Sequence, residues 1–273
     1  MKSRLLVAMI AVPVLFVILF FLPPVVLAVV TAALCAVAAV EFLRAVCGAL
    51  SAPVRYMTVA AAALMPLTRL TGNAGAPVLV GVAYLLALSG AAVIRYEKQK
   101  EVSVRNLLAC MFAALIYPTL MGTLNGLKSM ENGRLLVLLP VIITFCCDSA
   151  AYFAGVYLGK KKITPLVSPH KSLEGFLGGL VGGLACVMIY GLIVTLASKT
   201  VMVHYGWLAV YAVLGCLACE LGDLAFSLIK RLCGVKDYGR LIPGHGGVLD
   251  RFDSMSFVAP LIYALVLLIP AMG

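Results

Sequence analysis

The polar residues of this chain gather late, in a pattern suited to chemistry on phosphates. Asp148, Glu220 and Asp223 interrupt long apolar runs, and Asp237, Asp250 and Asp253 follow in the polar stretch 227–254 beside Lys230, Arg231, Lys236, His245 and Arg251. A charge inside a membrane segment costs about 2.5–3.5 kcal/mol on insertion scales, so Asp148 and Asp223 are read as functional, a structural ion pair being the duller alternative. Glu220 stands evenly between the two. Carboxylates and cations mixed at this density suit transfer between two phosphate-bearing anions, whose mutual repulsion must be neutralised. Magnesium is usually held by one or two carboxylates plus water and substrate oxygens. Asp223 and Asp250 are the first candidates to share such an ion, with Asp148 and Asp253 completing its shell directly or through water. Lys171, Lys230, Arg231, Lys236 and Arg251 are the candidate holders of phosphate oxygens. The turn Pro243–Gly247 offers Gly246 and Gly247 as backbone that can come close to a phosphate. His245 is expected to donate to a phosphate or to the leaving group.

The elements that must position these groups are membrane helices. Of 273 residues, 63% are hydrophobic and only 12% charged, where a soluble domain carries about a quarter charged. A ruler of roughly 20 apolar residues per crossing gives nine expected spans, at 5–22, 25–43, 54–70, 77–94, 106–124, 135–155, 176–197, 206–226 and 255–271. The fold class expected is therefore all-α, a polytopic helix bundle. The first span follows Lys2 and Arg4 like a signal peptide, but it runs to Leu22 with a poor cleavage pattern near Ala28, and it is read as retained. With the N-terminus inside and the C-terminus outside, 17 of the 21 basic residues lie on the inner side, as the positive-inside rule requires. The net charge of +10 then reflects loop orientation and attraction to anionic lipid rather than nucleic acid. Residues 1–134 are read as a scaffold of five spans, and 135–273 as a catalytic region with inner loops 156–175 and 227–254. Gly175, Gly178, Gly179, Gly182 and Gly183 form a small-residue stripe for close packing against a neighbouring helix or a second subunit. The nine cysteines, including the CxxC pair Cys216 and Cys219, are read as small apolar packing groups. His204, Tyr205 and Trp207 read as an interfacial belt on the outer side.

The stretch from Ser227 to Asp253 resembles the signature of the phosphatidate cytidylyltransferases, also called CDP-diacylglycerol synthases. Ser227, Lys230, Arg231, Lys236, Asp237, Gly239, Pro243, His245, Gly246, Gly247, Asp250, Arg251 and Asp253 match it at the expected spacing. The block Ser168–Gly175 resembles the family's Ser-Pro-x-Lys-Thr-x-Glu-Gly element, with Ser172 in place of Thr, and Asp148–Gly155 resembles a third segment. Phe226 departs from the pattern, since many relatives have Glu there. The resemblance implies conversion of CTP and phosphatidic acid to CDP-diacylglycerol and pyrophosphate. It points to Asp223 and Asp250 as metal ligands and adds Ser172, Glu174, Ser227 and Asp237 to Lys171 as substrate-binding residues. It also implies Mg2+, with help from a monovalent cation left open, and a homodimer. The expected location is a bacterial cytoplasmic membrane, with the site facing the cytoplasm. Rival readings are a transporter using Asp148, Glu220 and Asp223 as an ion site, and a CTP-dependent enzyme acting on a polyprenol.

Overall fold

The computed structural model describes residues 2–48, 50–99, 102–241 and 246–273. Their regular elements are helical: α1 (Lys2–Phe20), α2 (Pro24–Val46), α3 (Ala52–Leu67), α4 (Gly75–Gln99), α5 (Val104–Met111), α6 (Tyr117–Met121) and α7 (Thr123–Lys128), then α8 (Gly133–Leu136), α9 (Leu138–Tyr157), α10 (Leu173–Ala197), α11 (Tyr205–Leu232), α12 (Leu249–Phe252) and α13 (Met255–Leu268). A π segment, Phe112–Ile116, joins α5 to α6, so that Val104–Lys128 is helical nearly throughout. Apolar surroundings leave the backbone no partner but itself, and helix is the solution. The hydroxyls inside follow the same rule: Thr31, Thr58 and Thr144 each donate to the carbonyl four residues back, at 2.8, 2.7 and 2.8 Å.

Each of the nine expected spans falls on helix. Among the described residues, seven helices are long and apolar enough to cross a bilayer: Pro24–Val46, Gly75–Gln99, Val104–Lys128, Gly133–Tyr157, Leu173–Ala197, Tyr205–Leu232 and Leu249–Leu268. The segments expected at 5–22 and 54–70 lie on α1 and α3, which are outside this set. For α3 the reason is length. It has 16 residues with Pro66 inside, about 24 Å at 1.5 Å per residue, and then tightens into a 3-10 turn, Thr68–Thr71, closed by left-handed Gly72.

The chain forms two compact units that cut across sequence order. One takes the residues up to Asn125 together with Cys233–Arg251, and the other takes Gly126–Leu232 and Phe252–Gly273. A single cut at 134/135 would instead have kept 233–251 with the second half. In the first unit α2 packs on α3, and α3 on α4 and the π segment. Asn125 ties this unit together by accepting from Thr31 at 3.2 Å and donating to the Pro66 carbonyl at 3.2 Å.

In the second unit the glycine stripe of α10 lies against α9. Side chains added at Gly178 and Gly182 would overlap Ala154 and Ala150, and one at Gly183 would overlap Cys216. The close approach is therefore between neighbouring helices of one chain, and the cysteines are part of the packing, free rather than disulfide-bonded. Tyr211 donates to the Ile269 carbonyl at 2.7 Å, fixing α11 to the end of α13. The stretch before α11 pairs with the last residues, through Met202 N–H to Gly273 at 2.7 Å and His204 N–H to Ala271 at 2.9 Å. Gly182→Leu is expected to lower stability by about 1–3 kcal/mol through overpacking. Gly90→Leu on α4, where an added Cβ meets nothing within 4 Å, should leave the thermal midpoint in detergent unchanged. Equal midpoints for the two variants would refute tight α9–α10 packing.

Candidate active site

The C-terminal half of α11 carries Glu220, Asp223, Ser227 and Lys230, three or four residues apart and so on one face. Glu220 is 3% exposed, and Ser227 and Lys230 are 9% exposed. Lys171 reaches this face from the loop before α10, with its Nζ 2.6 Å from Glu220 Oε2 and 2.9 Å from Asp223 Oδ2. It also donates to the Glu220 carbonyl at 3.1 Å. Burial alone would pull the Lys171 ammonium down, but the Asp223 and Glu220 carboxylates outweigh it and hold its pKa above the ordinary lysine value. Lys171 is thus a fixed positive charge.

Two further aspartates close on the same spot. Asp148, from α9, accepts the Cys219 thiol at 3.3 Å and lies within electrostatic reach of Asp223, Glu220 and Lys171. Asp253 is 7% exposed, accepts the Ser254 N–H at 2.8 Å, and lies within reach of Asp223, Lys230 and Asp148. Four carboxylates, from Asp148, Glu220, Asp223 and Asp253, face two ammonium groups, from Lys171 and Lys230. Cys219 of the CxxC pair is a hydrogen-bond donor to one of them and also to the Thr144 carbonyl at 3.9 Å.

The loop that delivers Lys171 is held mostly by its own backbone. Ser172 caps α10, accepting the Gly175 N–H at 3.2 Å, and Glu174 accepts the N–H groups of Lys160 and Lys161 at 3.0 and 3.2 Å. Ile163 N–H to Lys171 at 3.2 Å and Leu173 N–H to Lys161 at 2.8 Å close the loop on itself. Lys162 donates to the His170 carbonyl at 3.2 Å, and Arg231 Nε to the Val167 carbonyl at 3.2 Å. Ser172, Glu174 and Arg231, expected on substrate, have these bonds to the protein's own backbone.

Asp250 belongs to the other unit. Its Oδ2 accepts the N–H groups of Tyr238 at 2.8 Å and Gly247 at 3.0 Å, so one carboxylate oxygen holds both backbone positions. Gly246 takes φ of +84°, where a side chain is strained, and an added Cβ there would stand 3.1 Å from that same carboxylate oxygen. Glu41 of α2, which the sequence reading left within the scaffold, grips the loop from the other side. It is 5% exposed and accepts the N–H groups of Val248 at 3.1 Å and Leu249 at 2.8 Å, the first donors of α12. A Cβ on Gly239 or Gly247 would run into its carboxylate. Phe42 beside it packs on Phe112 at 4.8 Å and on Tyr238 at 6.1 Å between ring centroids.

The structure therefore brings Asp148, Asp223, Asp253, Lys171 and Lys230 together in the second unit. Asp250, Gly246 and Gly247 stand with Glu41 in the first. Lys236, Asp237 and Arg251 are exposed, and Pro243 and His245 lie outside the described residues. Among the described residues no three His, Cys, Asp or Glu side chains stand in metal-holding geometry. The excess of oxygen-only carboxylate donors around Asp223 nonetheless fits Mg2+, which draws much of its shell from water and substrate.

Comparison with known proteins agrees with the signature. The model of the cytidylyltransferase family matches residues 2–269. The phosphatidate cytidylyltransferase of Bacillus subtilis is 40% identical over 138 residues, covering 50% of this chain and 49% of that protein. That of Staphylococcus aureus is 41% identical over 140 residues, covering 51% and 52%. That of Thermotoga maritima is 33% identical over 195 residues, covering 68% and 72%. The aligned stretch thus spans about half the length of the first two relatives. On the match over nearly its full length, the chain belongs to the cytidylyltransferase family.

Proposed function

We propose that the chain is a CTP:phosphatidate cytidylyltransferase, making CDP-diacylglycerol and pyrophosphate at the inner face of a bacterial cytoplasmic membrane. The observation that carries this reading is the convergence of Lys171, from the Ser168–Gly175 block, on Asp223 of α11 at 2.9 Å, four residues before the signature opens at Ser227. A phosphatidate oxygen attacks the α-phosphorus of CTP, the new P–O bond forms, and the bond to the β-phosphate breaks. The acceptor is already an anion, so no general base is required. Lys171 and Lys230 hold the phosphate-bearing lipid headgroup. Asp223 with Asp148 or Asp253 would hold Mg2+, which would supply charge neutralisation at the phosphates. Burial around Glu220 and Lys230 keeps water from the attack.

The topology of this reading has nine crossings with the N-terminus inside, α1 and α3 included. That count keeps Arg44 and Arg55 on the same side as the loops bearing Lys171 and Asp250. A homodimer is the working assembly, as the resemblance of the signature segment implies.

The test uses protein purified in detergent, with Mg2+, phosphatidic acid and each nucleoside triphosphate in turn. Liponucleotide and pyrophosphate should appear in equal amounts with CTP and not with ATP, GTP or UTP. Lys171→Ala should lower turnover about a hundredfold or more, the scale on which removing one preorganised stabiliser of developing charge acts. Absence of liponucleotide from the wild type would favour the transporter. Unchanged turnover of Lys171→Ala across both substrate ranges would remove Lys171 from the site.

A further inference from the structure

The first unit carries a cavity of about 420 Å3, within the range of about 300–1,000 Å3 usual for small-molecule sites. It shares no residue with the Asp250 loop or the Lys171 cluster. Its apolar wall includes Leu88 and Ala92 of α4 and Leu107 of α5, and its polar lining is Arg95, Ser103 and Asn106. Arg95 lies one turn before the end of α4, so the cavity sits where the apolar helix meets its basic flank of Arg95 and Lys98. Its Nε is buried and has no hydrogen-bond partner among the described residues. A guanidinium does not lose its proton in a protein, and among the described lining residues there is no carboxylate to face it. Only 11% of the apolar window of α4 is buried within the chain, the lowest share among the seven membrane-length helices, which leaves the helix open to acyl chains. A ligand suited to this place has an anionic head for Arg95 and an apolar tail that reaches it from the bilayer.

We propose that the cavity is a second lipid site, which holds the phosphate of an anionic phospholipid on Arg95, Ser103 and Asn106 and runs one acyl chain along Leu88, Ala92 and Leu107. Guanidinium and phosphate form charge-assisted, forked hydrogen bonds, and the stem of Arg95 can lie along apolar surface while its head meets the headgroup layer. The site is separate from the reaction and does not depend on the proposed activity.

The experiment is native mass spectrometry of the delipidated full chain in detergent, titrated with dioleoylphosphatidylglycerol, dioleoylphosphatidylcholine or sodium phosphate. The wild type should retain one phosphatidylglycerol at least about tenfold better than phosphatidylcholine. Arg95→Gln should lose that preference while keeping the wild-type elution profile, since it removes the cation and keeps a polar side chain of similar reach. Arg95→Lys should restore part of it. Ala92→Trp, which fills the cavity, should lose retention; if that variant does not fold, the Arg95 pair decides alone. Turnover of CTP and phosphatidate by Arg95→Gln should stay within about twofold of wild type. Equal retention of the two lipids by the wild type, an unchanged preference in Arg95→Gln, or inorganic phosphate binding as tightly as the lipid would each overturn the proposal. A collapse of turnover in Arg95→Gln would overturn it too, by making the cavity part of the reaction site.

Discussion

Asp223→Asn is expected to reduce Mg2+-dependent conversion of CTP and phosphatidate by about a thousandfold, the scale on which removal of a developing-charge stabiliser acts, while the protein still inserts and folds. Stability should change little, because the Asp223 side chain is 38% exposed and a partly exposed ion pair contributes at most about 1 kcal/mol. Asparagine keeps the size and an oxygen that can accept from Lys171, so what is lost is charge. Two readouts separate a metal ligand from a structural partner of Lys171. Half-saturation by Mg2+ should move to much higher concentration in Asp223→Asn, whereas a purely structural role would lower the thermal midpoint and leave the Mg2+ dependence where it was. Near-normal conversion at the wild-type Mg2+ optimum would remove Asp223 from the mechanism.

The parts of the fold legible in the sequence are those that depend on local composition. An apolar run of about 20 residues has few alternatives to helix in lipid, and the expected segments fall on helix for that reason. The polar face of α11 was legible only in part: Glu220 and Asp223 were placed in the span expected at 206–226, but Ser227 and Lys230 were assigned to the loop 227–254, whereas the helix runs on to Leu232. What each polar group touches was not legible. Ser172 and Glu174 were matched to a motif as substrate ligands, yet they cap α10 and hold Lys160 and Lys161 backbone, contacts that depend on how the loop folds back. The glycine stripe announced close packing without naming its partner, and α9 supplies it with Ala150 and Ala154. Length alone kept α3 out of the membrane-length set, since Pro66 and the following 3-10 turn end it early. Glu41 carried a signal that went unused. The rule that singled out Asp148 and Asp223, a carboxylate in an apolar run, applies to it equally, but it stands near the end of the span expected at 25–43, where a charge near water costs little. Its partners lie 207 and 208 residues away in sequence, beyond any periodic pattern.

Glu41→Leu is therefore expected to loosen the Asp250 loop and lower turnover about a hundredfold without touching any residue of the signature. Two backbone N–H groups now bonded to one buried carboxylate would be left facing a hydrocarbon, at about 1–3 kcal/mol each. Glu41→Gln should fall between that variant and wild type, because its amide oxygen can satisfy one N–H while its NH2 group opposes the other. The loop should become accessible along with the loss of activity. Arg240 is exposed within it, so trypsin should cleave after Arg240 at least about tenfold faster in Glu41→Leu if cleavage follows the population of the open loop. Cleavage at Lys160–Lys162, in a loop of the second unit whose anchors are Ser172 and Glu174, should keep its wild-type rate and report that the rest of the protein is intact. If both loops are cut faster together, Glu41 supports the fold in general. If neither is, and turnover persists, the two hydrogen bonds do not hold the loop and Glu41 has no part in positioning Asp250.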